Sequence, residues 1–383
     1  VYITHNALPP GEPQYDGHRA LWIQEYDPEA QELVGPHEVI VNGGVDLSEE
    51  PIWIEAPHIF KVDGTYYLIA AEGGTGPNHS EVVFRSDSPR GPYEPYDENP
   101  ILTQRHLDPD RPNPIATAGH ADFVRTPGGE WWSVFLATRN YGDGFFNTGR
   151  ETFMLPVDWT DDGWPVILER DRTVPYVHDA PELPRSESPS IPMSGNFTVR
   201  TDFKADSLAP YWNFIRAPQE TWHELENGHL TIEPRSDSIG GLGQPSFVGR
   251  RQQHTHATAT TALRYEPGSA EEKAGLAAFQ NREYYYLLSV TRNEGQPVVQ
   301  LEQAAGGNTS VIASSPVELS EDAPLRLRIE ADAGDYDFSY APSSGDWSTL
   351  KEDADGTILS TQEAGGFVGA YFGLYAHRDA QQE

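Results

Sequence analysis

Hydrophobic and polar positions alternate in short runs along most of this chain, and a helical period is almost nowhere sustained. RALWIQEYD (19–27), GTYYLIAAE (64–72), EVVFRSD (81–87), EWWSVFLATR (130–139) and ETFMLPVDW (151–159) each lie between clusters of Gly, Pro, Asp or Asn. Such alternation, bounded by turn residues, predicts β-strands. The pattern continues in FTVRTDF (197–203), HLTIEP (229–234), ATATTALRY (257–265), YYYLLSVTR (284–292) and LRLRIEADAGDYDFSYA (325–341). One stretch, SAEEKAGLAAF (269–279), reads as a short helix.

A weak internal repeat organises the first half. IFKVDGTYYLIAAEGG (59–74) resembles FVRTPGGEWWSVFLATRNY (123–141), with Tyr66 and Trp131 in matching places. Both read as strand, glycine turn, paired aromatics, strand. Four short strands per repeat suit a propeller blade, and residues 1–45 read as the tail of a preceding blade. The stretch VHDAPELPRSESPSIP (177–192) has a turn residue at nearly every step, so it predicts a connector. The expected domains are therefore a propeller-type domain at 1–178, a linker at 179–192 and a two-sheet sandwich at 193–383.

Composition agrees with an all-β chain. Gly 35, Pro 32, Trp 9, Tyr 18 and Phe 15 are high counts for a helical protein of 383 residues. There is no apolar run long enough to span a membrane. The chain opens on Val1, in what reads as mid-strand, so a natural N-terminus is not visible and localisation stays open, with the cytoplasm favoured. Cys 0 excludes disulfides and thiolate metal sites. A formal charge of −33 disfavours nucleic acid and anionic membranes as partners. The acids are spread along the chain, as expected of a halophilic protein from a high-salt cytoplasm or brine; an ordinary acidic soluble protein is the alternative.

Candidate chemistry centres on Glu55. Its neighbours Trp53, Ile54, Ala56 and Pro57 are apolar, and desolvation keeps a carboxyl protonated near neutral pH, as a general acid requires. Asp16 is the one early acid in a distinctive setting, a turn before a strand. Glu72 in AAEGGT is a further candidate pocket acid, with a turn anchor bonded to backbone N–H groups as the favoured alternative. Trp53 could pack a sugar face, whereas Trp131 and Trp132 read as blade core. His254 and His256 would share a face of one strand, a weak metal signal. Asn78, Asn196 and Asn308 fit the glycosylation pattern by chance. No phosphate loop, zinc-protease helix or nucleophile elbow is present.

The segments DGHRALWIQEYDP, EAPHIFKVDGTYYLIAAEGGT, RSDSPRGPYEP, NPIL, GHADFVRTPGGEWWSVFLATR and GRETFMLPVDWTDDGWPV resemble glycoside hydrolase family 43, in its β-xylosidase branch. WNFIRAP, GHLTIEP, FVGRRQQH, EEKAGLAAFQN and GGFVGAYFGLYA resemble that branch's accessory sandwich. The resemblance implies an all-β fold: a partial five-bladed β-propeller followed by a jelly-roll, concanavalin-like β-sandwich. It implies inverting hydrolysis of terminal xylose from xylo-oligosaccharides, and α-L-arabinofuranosidase activity beside it. Glu55 matches the family's general acid. His120 matches an axial histidine that contacts a central calcium or its waters, Arg150 an arginine that binds sugar hydroxyls, and Phe367 a sandwich aromatic that reaches toward the pocket. No cofactor is required, and a structural Ca2+ is the one ion implied.

The family's Asp base and pKa-tuning Asp have no match here. The chain thus reads as the larger, C-terminal part of such an enzyme, expected to show little hydrolysis alone. The family's closing sandwich strand is also expected to be missing after GLYAHRD. The rival reading is a non-catalytic carbohydrate-binding protein that uses the sandwich. A third gives the sandwich to contacts within a homo-oligomer.

The charge generates a prediction of its own. Raising KCl from about 0.1 M to about 1 M shrinks the Debye length from about 10 Å to about 3 Å. If self-repulsion is being screened, the melting temperature should rise by about 5 °C or more over that range. A flat scanning-calorimetry response to KCl would mark an ordinary acidic protein.

Overall fold

The structure is a computed structural model describing residues 1–184, 195–320 and 322–379. Two compact units emerge. The first is built of small antiparallel sheets, the blades of the partial propeller. Its opening sheet runs β1 (Tyr2–Ala7), β2 (Ala20–Asp27), β3 (Glu32–Asn42). The next joins β4 (Glu55–Val62), β5 (Thr65–Glu72) and β6 (Ser80–Ser86), with β7 (Glu94–Pro95) and β8 (Leu102–Thr103) both pairing with β6. The third joins β9 (Ile115–Arg125), β10 (Trp131–Arg139) and β11 (Glu151–Pro156). The segment expected as one strand at 151–159 splits after Pro156. Beyond it, β12 (Asp158–Trp159) pairs with β13 (Pro165–Val166) instead.

The two halves of the sequence repeat become the β4–β5 and β9–β10 hairpins. Their aromatics fill the interior: Trp132 is buried, and Trp131 packs on Phe60 and Trp159. Ile54 is fully buried among Leu21, Leu68 and Val82. That anchor fixes the backbone just before Glu55.

The second unit is a sandwich. Its larger sheet has seven strands: β14 (Asn213–Phe214), β17 (Ser246–Arg251), β26 (Tyr371–His377), β19 (Lys273–Asn281), β20 (Tyr284–Asn293), β21 (Gln296–Ala305) and β22 (Asn308–Pro316), in that order. The smaller sheet is β18 (His256–Leu263), β23 (Leu325–Asp332), β24 (Asp335–Ala341), β25 (Ser348–Asp355). A separate hairpin pairs β15 (His223–Glu226) with β16 (His229–Ile232). Leu276, Leu288 and Leu301 of the larger sheet share one core with Leu327, Ile329 and Phe338 of the smaller.

Two expectations fail here. The helix-like SAEEKAGLAAF is a turn leading into β19, a central strand flanked by β20 and β26. Seven successive residues of β19 are buried, so no alternation shows in the sequence, and burial on both faces overrides the helix propensity of Ala and Leu. FTVRTDF forms no strand. Phe203 takes a left-handed φ of 49°, which breaks the extension, and Phe197 and Phe203 pack on His254 and Trp212 instead.

The units do not divide at a single cut, because Tyr141–Gly149 groups with the sandwich. Asn147 ties this segment down: its amide donates to the Tyr336 hydroxyl (3.1 Å) and to the Gly356 carbonyl (2.9 Å), while its own carbonyl accepts from Ala370 N (2.7 Å). Of the expected linker, residues 185–192 lie outside the described residues, as do residues 380–383, where the missing closing strand was expected.

Leu327 is fully buried between the two sheets and Val311 is 54% exposed. Leu327→Ala should destabilise the sandwich by about 2–5 kcal/mol in urea unfolding, through lost burial and a residual cavity. Val311→Ala should change it by no more than about 0.5 kcal/mol.

Candidate active site

Glu55 begins β4, an edge strand in its sheet. The ladder pairs Glu55 with Ala71 and His58 with Ile69, so three steps on β4 face two on β5. That is a bulge, and Ala56 inside it takes a φ of 49°. Pro57 lies in the bulge, where a missing N–H leaves no gap in the ladder, and its carbonyl accepts from the Thr4 hydroxyl at 2.9 Å. The unusual sequence Glu-Ala-Pro-His is thus the local chemistry that displaces Glu55 from the strand's ordinary alternation.

His120 comes from the middle of β9 with a left-handed φ of 57°. Its Nδ1 lies 3.7 Å from Glu55 Oε1, and both side chains are about two-thirds buried. Burial pulls the imidazole pKa below its ordinary value; Glu55 opposes this, while Arg150 and His58 add to it. Arg150 immediately precedes β11, and its Nη1 donates to Thr75 Oγ1 at 3.4 Å. Burial lowers its pKa and the charge of Glu55 raises it. Glu151, the neighbour that could have paired with Arg150, is held bidentately by Arg139 at 2.9 and 2.6 Å.

Trp53 is 48% exposed and stands beside the acid. Its N–H donates to the Gly17 carbonyl at 2.9 Å. Its ring lies so close to Gly74 that a Cβ there would sit 2.8 Å from Cε3. A side chain at position 74 would have to displace this ring. Phe367 belongs to the sandwich unit, where it is exposed on the segment before β26. Asp16 is exposed in the turn before β2. Glu72 is buried, its pKa raised by burial, and its Oε2 accepts from Val45 N at 3.0 Å. His254 and His256 do not share a strand. His254 lies in a bend, its Nε2 2.8 Å from the Gly195 carbonyl, and His256 begins β18 with its Nδ1 2.6 Å from Asp332.

Two residues beneath the site escaped the sequence reading. His79 is 1% exposed, its Nδ1 donates to the Thr117 carbonyl at 2.7 Å, and burial drives its pKa down to about 4. Glu81 is fully buried, its Oε2 accepts from Ala121 N at 2.8 Å, and burial raises its pKa well above the carboxylate range. Nothing in HSEVVFRS sets these two apart from its other polar residues, so the sequence carries no signal for them.

Calcium takes six to eight oxygen ligands. The buried atoms without a hydrogen-bond partner at this site are His79 Nε2, His120 Nδ1 and Glu81 Oε1, two nitrogens and one oxygen. No group of three or more metal-binding side chains converges among the described residues. This donor set does not fit a calcium ion held by the chain's own side chains.

Glu55 and His120 thus approach within 3.7 Å, and the charge of Arg150 acts on the same imidazole. Comparison with known proteins identifies the frame that carries it. Residues 1–165 match the glycosyl hydrolases family 43, and residues 200–383 match the beta xylosidase C-terminal concanavalin A-like domain. A xylosidase/arabinosidase of Butyrivibrio fibrisolvens is 32% identical over 98% of this chain and 70% of its own length. A non-reducing end alpha-L-arabinofuranosidase of Bacteroides ovatus is 34% identical over 85% of this chain, which spans 60% of that protein's length. The crystal structure of a GH43_12 protein from capybara gut metagenome superposes with a TM-score of 0.85 at 38% identity, covering 98% of this chain and 70% of that one. The chain belongs to glycoside hydrolase family 43.

Proposed function

We propose that this chain carries the general-acid side of a glycosidase that removes terminal xylose from xylo-oligosaccharides, with terminal α-L-arabinofuranose as a second substrate. The observation that carries the reading is the convergence of Glu55, His120 and Arg150 within one unit. The relatives' names, a xylosidase/arabinosidase and an arabinofuranosidase, support the substrate class. Family membership favours hydrolysis over the lectin-like alternative.

In this reading Glu55 donates its proton to the glycosidic oxygen as the bond from that oxygen to the anomeric carbon breaks. Water attacks the anomeric carbon from the opposite face and loses its proton to a carboxylate base, so the released sugar has inverted configuration. Arg150 donates to a sugar hydroxyl and, as a fixed cation, disfavours a charged His120. His120 stays neutral beside the Glu55 carboxyl, 3.7 Å away. Trp53 offers an apolar face to the pyranose ring.

An inverting base stands about 6.5–9.5 Å from the acid, leaving room for the water. The carboxylates nearest the site have other engagements: Glu72 and Glu81 hold backbone amides, and Asp122 pairs with His58 at 3.7 Å. We assign the base to none of them. Little hydrolysis by this chain alone is the consequence.

Calorimetry with xylobiose and release of 4-nitrophenol from its β-xyloside test both halves of the reading. Xylobiose should bind, and Arg150→Ala should weaken binding by about tenfold, roughly 1.4 kcal/mol. Affinity indifferent to both Arg150→Ala and Trp53→Ala would remove the site from this place. Robust aryl xyloside turnover by the chain, abolished in Glu55→Gln, would locate a base within it and overturn that half.

A further inference from the structure

The strand that carries His120 is irregular in a specific way. Along β9 and β10, Asp122 pairs with Val134 and Gly119 with Leu136; then Gly119 pairs with Leu136 and Ala116 with Thr138. Each time three steps on β9 face two on β10. β9 therefore holds two bulges in succession, one at Thr117–Ala118 and one at His120–Ala121. Each extra residue turns the side-chain alternation over. Thr117 and His120 take left-handed φ values of 52° and 57°, a conformation that is unfavourable for non-glycine residues and most so for a β-branched threonine.

One neighbouring segment reaches both bulges. His79 donates from Nδ1 to the Thr117 carbonyl in the first, and Glu81 accepts from Ala121 N in the second. The His120 N–H also faces the Glu81 carboxyl. His79 immediately precedes β6 and Glu81 is the second residue of that strand. Gly119, between the bulges, admits the His79 ring: a Cβ there would lie 2.9 Å from it. Apolar packing does not call for these residue types, since a leucine would fill either place. What a leucine could not do is satisfy the backbone groups that the bulges remove from the ladder.

We propose that His79 and Glu81 are positioning residues: they lock the two bulges of β9 and thereby aim the His120 imidazole at the Glu55 carboxyl. This rests on the reading of Glu55, His120 and Arg150 as the sugar site. Glu81 acts as an acceptor of amide protons, so a glutamine carbonyl can replace it. His79 acts through a single donor, so an asparagine amide can replace it.

The test uses the full chain with Glu81→Gln, Glu81→Leu, His79→Asn and His79→Leu. Melting temperature, xylobiose affinity and the crystallographic separation of His120 from Glu55 are measured for each. The Gln and Asn variants should keep affinity within about twofold of the parent and keep His120 within about 4 Å of Glu55. The Leu variants should lose about tenfold or more in affinity, with His120 turned away from Glu55. If Glu81→Leu does not fold, the His79 pair carries the same contrast at the other bulge. Leu variants that melt earlier but keep both His120 placement and sugar affinity would reduce the two residues to ordinary core groups and overturn the proposal. If the parent binds no xylobiose while the Leu variants still displace His120, the sugar reading falls and the positioning role stands.

Discussion

A buried carboxyl bonded to the amides of a kinked strand is the interaction on which the candidate site depends. A regular blade alternates its side chains strictly, and side chains from neighbouring strands then do not converge as the chemistry requires. Here β4 and β9 each accept extra residues, which re-aims Glu55 and His120 toward one another. The exchange removes ladder hydrogen bonds in the protein interior. An unsatisfied buried donor or acceptor costs about 1–3 kcal/mol, so each bulge needs a replacement partner. Thr4 supplies one to the β4 bulge, and His79 and Glu81 supply the others.

The electrostatics follow from this placement. Burial is the largest influence against charge on His79, Glu81 and His120, and Arg150 adds to it at both histidines. The charge of Glu55 acts on Arg150, and Arg139 binds Glu151. Around His120, the cation of Arg150 and the carboxyl of Glu55 act in opposite directions on the imidazole.

Much of this was legible in the sequence. The hairpins repeated at 59–74 and 123–141 followed from the turn glycines and from the paired aromatic and β-branched runs that flank them. Glu55 stood out as a lone acid among apolar neighbours, Trp53, Ile54, Ala56 and Pro57. Four features were not legible, for physical reasons. β19 is buried on both faces, so Lys-Ala-Gly-Leu-Ala-Ala-Phe carries no strand period. FTVRTDF alternates like a strand yet finds no partner to pair with. His79 and Glu81 read as ordinary polar residues, since only the neighbouring strand's bulges give them work, and a bulge in β9 leaves no trace in the sequence of β6. The segment Tyr141–Gly149 is similar: nothing in its composition says that Asn147 is bonded into the sandwich.

The most direct measurement is a crystal structure of the chain with xylobiose bound. The glycosidic oxygen is expected about 2.6–3.2 Å from the Glu55 carboxyl, with Arg150 on a sugar hydroxyl and the Trp53 ring against the pyranose. Xylobiose seated elsewhere, with Glu55 out of reach of any glycosidic oxygen, would contradict the assignment of Glu55 as the acid.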